Sequence, residues 1–375
     1  MNDVYTEQLI WAKERGLHID PRLERKCVDG VWGFFATDLI ESGTKLVSYP
    51  VDKAIKPVES FNYPSNTSNI AKHVHAALLE FNKGKASDYY GHFLQLEPLD
   101  YLKKHSVFFF SDEEIQLLDS MNCFLSKAVR EHKQECLKRI DEVQQLDSRI
   151  DRDTIVLIYL NYLSRAWGDA NFLPIMDYAN HSDRLGKQRQ TKNGEFCLEA
   201  KYNYQKGEQV YLSYGRKDMY LHAILYNYFD PKGSHFIHYG SRFVQVANTP
   251  FELEVLKYTA SKFKLVTQKL NNQYHYSCLD LNVGFLEMAP SLSMIEYIQN
   301  NYFTTPSEWK SKKCSHASLA QRLLDILNIM IDANKVESFQ PENLPEKMHH
   351  FYCLLTKEQQ MLNKNKEWVI DNFYL

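Results

Sequence analysis

The first regular pattern along the chain is β-like. Residues 30–50 read GVWGFFATDLIESGTKLVSYP, in which an apolar and aromatic run ends near Ala36 and a second run covers residues 45–49. Residues 41–43 lie between the two runs and have the composition of a turn. Short apolar runs separated by turn residues are typical of neighbouring strands. The pattern therefore predicts that the chain begins with β structure.

From about residue 64 to residue 150 the pattern becomes helical. Ser111 is followed three residues later by Glu114, a spacing that predicts a capping box at the start of a helix. A longer segment repeats at steps of three and four residues, which predicts an amphipathic helix with one face made of Val129, His132, Cys136, Ile140 and Val143. His132 and Cys136 could share a metal ion, but packing in a helix seam is the stronger interpretation.

Residues 153–167 are predicted to form another helix with one buried face. That face is made of Ile155, Ile158, Tyr159, Tyr162 and Leu163. Arg165 lies toward the same apolar side, and a cation in that position requires an anion. Asp169 and Asp177 are the candidate partners within the chain.

β-like character returns after this helix, and a helical tail follows. Phe196, Leu198 and Ala200 alternate with polar residues, residues 205–208 have the composition of a turn, and QVYLSYG is the next candidate strand. Beyond about residue 235 the chain is predicted to be mostly helical. One amphipathic face is formed by Leu319, Leu323, Ile326 and Met330, and another by Met348, Phe351, Tyr352 and Leu355.

Composition narrows the class of protein. A chain of 375 residues with 44% hydrophobic residues is long enough for two or three structural units. The formal charge of −3 argues against a nucleic-acid-binding protein, which would carry an excess of Lys and Arg. No apolar run approaches the roughly 20 residues of a membrane span, and no secretory signal pattern begins the chain. We therefore expect no nucleic acid, membrane or metal among the partners.

The seven cysteines are scattered without CxxC spacing, which favours a reducing compartment. The cytoplasm is the first choice, while the nucleus and delivery into another cell stay open. Asn180-His181-Ser182 has the form of a glycosylation sequon, as does the sequence at Asn66. In a reducing compartment neither asparagine would meet the glycosylation machinery.

Four motifs occur in order along the chain: WGFFAT, LSRAW, MDYANHS and GEQVYLSYG. Together with the segment LLEFNKGKASDYYGHFLQLEP, they resemble the SET-domain protein methyltransferases. The resemblance is to the class of the Rubisco large-subunit methyltransferase and the actin-histidine methyltransferase, and it covers about residues 8 to 230. It implies an α+β fold: a β core with a pseudoknot, interrupted by a helical insert and followed by a mostly helical C-terminal lobe that binds substrate.

The resemblance also divides the chain into four expected segments. These are an N-terminal helix with the first SET segment (1–63), the helical insert (64–150), the second SET segment (151–235) and the helical C-terminal domain (236–375). The class uses S-adenosylmethionine and methylates a protein side chain. The chain is accordingly expected to act on a protein substrate and to be a monomer.

Site residues follow from the resemblance by position. Tyr214, in LSYG, matches the catalytic tyrosine. The positions that match cofactor-binding residues are Val31, Trp32, Gly33, Arg165, Asp177, Asn180, His181 and Tyr226. The substrate channel is expected to be lined by Tyr214, Tyr226 and Tyr228. Asp177 could either contact the cofactor or hold its own loop, and Arg165 is expected against the cofactor carboxylate.

Two positions depart from the class pattern. Gly30 stands where the class has an acidic residue, and Asn227 stands where it has glycine. Tyr226 occupies a position at which lysine-directed members tend to have tyrosine, which favours lysine as the target. Histidine methylation is the alternative reaction, and a SET module that binds a partner without catalysis is the alternative function.

Overall fold

The computed structural model describes residues 4–28, 31–166, 173–180, 189–212, 218–226, 229, 235–247, 249–271, 273–278, 283–301, 306–311 and 314–373. The elements of the N-terminal part are α1 (Val4–Glu14), β1 (His18–Ile19), β2 (Leu23–Val28), β3 (Val31–Ala36), β4 (Lys45–Pro50), α2 (Asn69–Phe81), α3 (Leu99–His105), α4 (Asp112–Met121), α5 (Cys123–Leu146) and α6 (Arg152–Arg165). Those that follow are β5 (Arg189–Lys192), β6 (Glu195–Glu199), β7 (Gln209–Val210), α7 (Met219–Tyr226), β8 (Ile237–His238), β9 (Gln245–Ala247), α8 (Pro250–Ala260), β10 (Leu265–Leu270), β11 (Gln273–Cys278), β12 (Gly284–Phe285), α9 (Leu292–Asn301), α10 (Pro306–Ser311), α11 (His316–Ala333) and α12 (His349–Phe373).

The chain divides into two compact units. The first unit contains Met1–Phe109 and Lys133–Gly215, and the second contains Phe110–His132 and Arg216–Leu375. Helix α5 contributes its first part to the second unit and its remainder to the first. Membership of a unit therefore does not follow the order of residues along the chain.

The first unit contains two antiparallel sheets. One has the strand order β1-β4-β6-β5 and the other β2-β3-β7. Their side chains share a core that includes Phe34, Leu46, Tyr49, Leu198 and Tyr204. The strands predicted at residues 31–36 and 45–49 are confirmed, whereas QVYLSYG is a strand only at Gln209 and Val210 among its described residues.

A second core in the first unit belongs to the helical insert. Its buried residues come mainly from α2, from α6 and from the later turns of α5. Ile155, Ile158, Tyr159 and Tyr162 are buried as the periodicity predicts, and the N-cap Asp151 accepts a hydrogen bond from the Thr154 amide at 2.9 Å. Val156, Leu160 and Asn161 are buried as well, and Leu163 is only partly buried, so α6 is enclosed on more than the one predicted face.

The second unit is mostly helical, as predicted, but it also contains short strands. The predicted capping box of α4 is present, with Ser111 and Glu114 each bonded to the other's backbone amide. The predicted apolar faces in α11 and around the start of α12 are buried, apart from the partly exposed Tyr352. Strands β9, β11 and β10 form one sheet, and β8 pairs with β12. The sequence pattern did not reveal these five strands.

Candidate active site

The candidate site in the first unit is built where a loop meets two strands. The Asn180 carboxamide donates a hydrogen bond from Nδ2 to the Trp32 carbonyl oxygen at 2.8 Å. The Asn180 carbonyl in turn accepts a hydrogen bond from the Leu212 amide at 2.7 Å. The motif segments containing Trp32, Asn180 and Leu212 are therefore joined through one asparagine.

Gly33 lies directly under this junction. A Cβ atom at Gly33 would stand 2.8 Å from Asn180 Nδ2 and 2.4 Å from Gln209 Nε2. Distances below 3.0 Å are not tolerated, so the absence of a side chain at Gly33 allows both carboxamides to approach the strand. Gln209 belongs to the GEQVYLSYG motif but was not among the predicted site residues.

The loop that leads to Asn180 is locally strained. Ile175 has φ of 73°, which is rare for a β-branched residue, and its side chain is fully buried. Such a conformation costs of order 1–3 kcal/mol and persists only where the surrounding structure enforces it. Burial of Ile175 in the core of the first unit supplies that support.

Trp32 presents its indole ring to solvent beside the junction. Its side chain is 51% exposed, although it lies on a strand whose neighbours Gly33 and Phe34 are buried. The Arg25 guanidinium lies 4.3 Å from the centre of the indole ring. The exposed indole is therefore a surface against which a flat ring can stack.

Arg165 has a partner that the sequence analysis did not consider. Its Nη2 donates to Glu97 Oε1 at 2.9 Å. The Asn161 side chain, one turn earlier on α6, bonds both the amide and the carbonyl of Glu97, at 2.8 and 3.0 Å. No local pattern links Glu97 to α6, because they are more than sixty residues apart.

The remaining predicted site residues are described only in part. The backbones of Val31 and Asp177 are described, in β3 and in the 3-10 turn Met176–Tyr178, but their side chains are not. His181, Tyr214 and Tyr228 lie outside the described residues. Tyr226 ends α7 in the second unit, where its ring packs 4.9 Å from that of His222.

No group of three or more metal-ligating His, Cys, Asp or Glu side chains occurs among the described residues. Within the same residues, no helix has both the length and the apolar character needed to cross a bilayer.

The domain that contains this site is similar to domains of known proteins. A family model for the SET domain matches residues 31–215, the span from Val31 of β3 to the end of the LSYG segment. A search of curated proteins finds no match.

Among solved structures, the chain is similar to Rubisco LSMT bound to sinefungin and monomethyllysine, with a TM-score of 0.66 and 16% identity over 99% of this chain and 92% of that one. It is similar to the SET domain of LSMT bound to methyllysine and AdoHcy, with a TM-score of 0.67, 15% identity and the same coverage. Rubisco LSMT bound to AdoMet gives a TM-score of 0.66 and 16% identity over 100% and 93% of the two chains. At these identities the likeness shows the fold.

The domain match and the fold agree with the class predicted from WGFFAT, LSRAW, MDYANHS and GEQVYLSYG. They confirm the α+β architecture and its helical C-terminal lobe. Residues 31–215 form a SET domain, and the chain as a whole has the fold of Rubisco LSMT.

Proposed function

We propose that this chain is an S-adenosylmethionine-dependent methyltransferase that transfers a methyl group to a lysine side chain of a protein substrate. The observation that carries the proposal is the junction at Asn180, which joins three motif segments inside a domain that matches the SET family. Structural neighbours bound to AdoMet, or to AdoHcy together with lysine, support both the cofactor and the target residue.

The described residues fit the chemistry of S-adenosylmethionine. Trp32 offers an exposed indole against which the flat adenine ring can stack, and Asn180 carries a carboxamide that can bond to a polar group of the cofactor. Gly33 leaves the space in which the Asn180 and Gln209 carboxamides lie against the strand. The guanidinium of Arg165 can pair with the cofactor carboxylate, as the resemblance implies, and Glu97 orients that guanidinium.

When bound, S-adenosylmethionine supplies an electrophilic methyl group on a sulfonium. The Tyr214 hydroxyl orients the incoming lysine nitrogen, and alignment of this kind is worth roughly 7–11 kcal/mol. The amine must be neutral, whereas free lysine has a pKa near 10.4. The resemblance implies that Tyr214, Tyr226 and Tyr228 line the substrate channel, and desolvation in such a channel would lower the pKa of the lysine. Val31, Asp177 and His181 complete the cofactor site in this proposal.

Cofactor binding is the first test of the proposal. Calorimetric titration of the full chain with S-adenosylhomocysteine should give one site per chain. Absence of binding would exclude the enzyme and favour the alternative in which the SET module is a protein-binding scaffold.

Methyl transfer is the second test. Wild type, Tyr214→Phe and Tyr202→Phe are incubated with labelled S-adenosylmethionine and protein extracts. Tyr202 is an exposed tyrosine of the first unit whose ring lies 4.6 Å from that of Tyr204, so it serves as the matched control. We expect labelling to be lost only in Tyr214→Phe. Mass spectrometry of the labelled peptides then distinguishes lysine from histidine as the acceptor.

The partner and the compartment complete the proposal. The substrate is a protein, the chain acts as a monomer, and the site of action is the cytoplasm. Sedimentation of the purified chain checks the oligomeric state, and fractionation of cells that produce it checks the compartment.

A further inference from the structure

The Arg25 guanidinium lies among three aromatic rings that come from three different elements. Its central carbon is 4.3 Å from the ring centre of Trp32, 4.5 Å from that of Tyr178 and 5.1 Å from that of Tyr5. All three distances are within the roughly 6 Å over which a cation is attracted to an aromatic face. We call these four residues the Arg25 cluster.

The register of the strands explains why Arg25 reaches Trp32. Arg25 pairs with Phe34 and Cys27 pairs with Trp32 between β2 and β3, so Arg25 and Trp32 are diagonal neighbours on one face of the sheet. Tyr178 arrives from the 3-10 turn Met176–Tyr178, and Tyr5 arrives from α1. The Tyr5 ring also meets the Tyr178 ring edge-on at 5.4 Å.

The Arg25 cluster joins the same two segments as the Asn180 hydrogen bond. Trp32 contributes its carbonyl to Asn180 and its ring to Arg25. Tyr178 contacts Arg25 and stands two residues before Asn180. One arginine therefore connects the strand and the loop through their side chains, while Asn180 connects them through the Trp32 backbone.

We propose that Arg25 is a positioning residue for the cofactor site: it holds the Trp32 ring and the Tyr178 turn together so that Trp32 and Asn180 keep the orientation that binds S-adenosylmethionine. This inference rests on the proposed function. A planar guanidinium can stack on two rings at once, which a lysine ammonium cannot do. Removal of Arg25 leaves Trp32 free to rotate, so cofactor binding must then order the ring.

The test compares Arg25→Met and Arg25→Lys with wild type by calorimetric titration of the full chain with S-adenosylhomocysteine. We expect Arg25→Met to raise the Kd roughly tenfold, and Arg25→Lys to raise it by a smaller factor. The KM for S-adenosylmethionine should rise by a similar factor, whereas kcat at saturating cofactor should stay within twofold of wild type. A merely structural role would not separate KM from kcat in this way.

Arg15→Met is the matched control. The Arg15 guanidinium also lies over an indole, 4.5 Å from the ring centre of Trp11, but it contacts neither Trp32 nor Tyr178 in the contacts described for it. Its Kd should equal that of wild type. If Arg15→Met weakens binding as much as Arg25→Met does, the effect is a general loss of stability and the proposal is wrong.

A double variant tests whether Arg25 acts through Tyr178. The combined effect of Arg25→Met and Tyr178→Leu on the Kd should be smaller than the product of the two single effects. If wild type binds the cofactor and Arg25→Met binds equally well, the role of Arg25 is refuted while the proposed function stands. If wild type does not bind at all, the proposed function itself fails.

Discussion

At the scale of single residues, Gly33 limits how the candidate site can vary. Gly33→Ala should weaken S-adenosylhomocysteine binding roughly tenfold or more, because the new methyl group displaces the Asn180 and Gln209 carboxamides. Both displaced atoms are ends of side chains, so the fold should survive. Calorimetry measures the binding and thermal unfolding measures the stability.

Gln209→Ala provides the control for this substitution. In the Gly33→Ala background it removes the clash between the new methyl group and Gln209 but leaves the clash with Asn180. Combining it with Gly33→Ala should recover part of the lost affinity. If the double variant binds no better than Gly33→Ala, the clash with Gln209 is not the cause of the defect.

His92 should make the first unit sensitive to acid. Its side chain is fully buried, and burial lowers the pKa of His92 to about 3. The Nδ1 atom lies 3.3 Å from the Tyr89 carbonyl oxygen, so the neutral ring donates from Nδ1. An unfolded histidine has a pKa near 6.5, so below that pH the unfolded chain binds a proton that the folded chain does not.

The free energy of unfolding should therefore fall as the pH drops from about 6.5 toward 3, by at most about 1.4 kcal/mol per pH unit from this group. His92→Asn keeps a donor for Tyr89 and removes the titration. Urea unfolding at several pH values should show that the free energy of unfolding of wild type exceeds that of His92→Asn near neutral pH. This difference should shrink as the pH falls. The exposed His18 provides the control, because His18→Asn makes the same substitution without disturbing the core.

The motif residues of the candidate site could be recognised in the sequence, whereas the residues that contact them could not. Trp32, Gly33 and Asn180 stand in motifs, and the structure brings them together. The partners Glu97 and Arg25 could not be predicted, because the contacts they make depend on tertiary packing between segments without a shared periodicity. The assigned roles of Tyr214 and His181 stay predictions.

At the scale of elements, α6 orders the segment around Glu97. Asn161 is fully buried and its carboxamide bonds both backbone groups of Glu97. Asn161→Leu removes these bonds while keeping similar volume, so it should lower the free energy of unfolding by about 1–3 kcal/mol. Cofactor affinity should fall as well, because Glu97 then no longer holds Arg165 in place. Urea unfolding and calorimetry measure the two effects.

Asn372→Leu is the matched control for Asn161→Leu. Asn372 donates a 2.8 Å hydrogen bond to the Trp368 carbonyl four residues earlier, as Asn161 does to the Leu157 carbonyl. Asn372 is exposed, however, and this bond lies within its own helix. Its substitution should change the stability by less than about 0.5 kcal/mol. If the two variants lose the same free energy of unfolding, the hydrogen bonds from Asn161 to Glu97 contribute nothing to stability.

Elements with a long repeat were predictable, and short ones were not. Helix α6 repeats apolar residues at three- and four-residue steps from Ile155 to Leu163, and α4 begins with a capping box, so both helices could be predicted from the sequence. Strands β8 and β12 have two residues each, too few to alternate. In β10 all residues but the first are exposed, so that strand has no buried face to produce a pattern.

At the scale of the whole molecule, the predicted order of β core, helical insert, β core and helical tail agrees with the fold. The sequence did not predict which residues belong to each of the two compact units. Residues 110–132 belong to the unit that contains residues 216–375, although almost a hundred residues separate them along the chain. Only long-range packing assigns the first part of α5 to that unit.

The second unit holds a buried group of charges that should dominate its stability. Arg242 is 3% exposed, and its guanidinium donates to Asp218 at 2.7 Å and to Glu358 at 3.2 Å. Glu358 also accepts hydrogen bonds from Tyr220 and Asn122. Burial raises the pKa of Glu358, so its ionised form depends on these partners.

Arg242→Met should destabilise the second unit by about 3–5 kcal/mol, because it leaves two buried carboxylates without their cation. Adding Glu358→Gln should recover part of this loss, since an amide needs no cation and can still accept from Tyr220. Arg322→Met is the control, because the Arg322 ion pair with Asp325 is exposed and should contribute at most about 1 kcal/mol. Hydrogen exchange of peptides from residues 216–375 resolves this unit from the first, and protection equal to wild type in Arg242→Met would contradict the prediction.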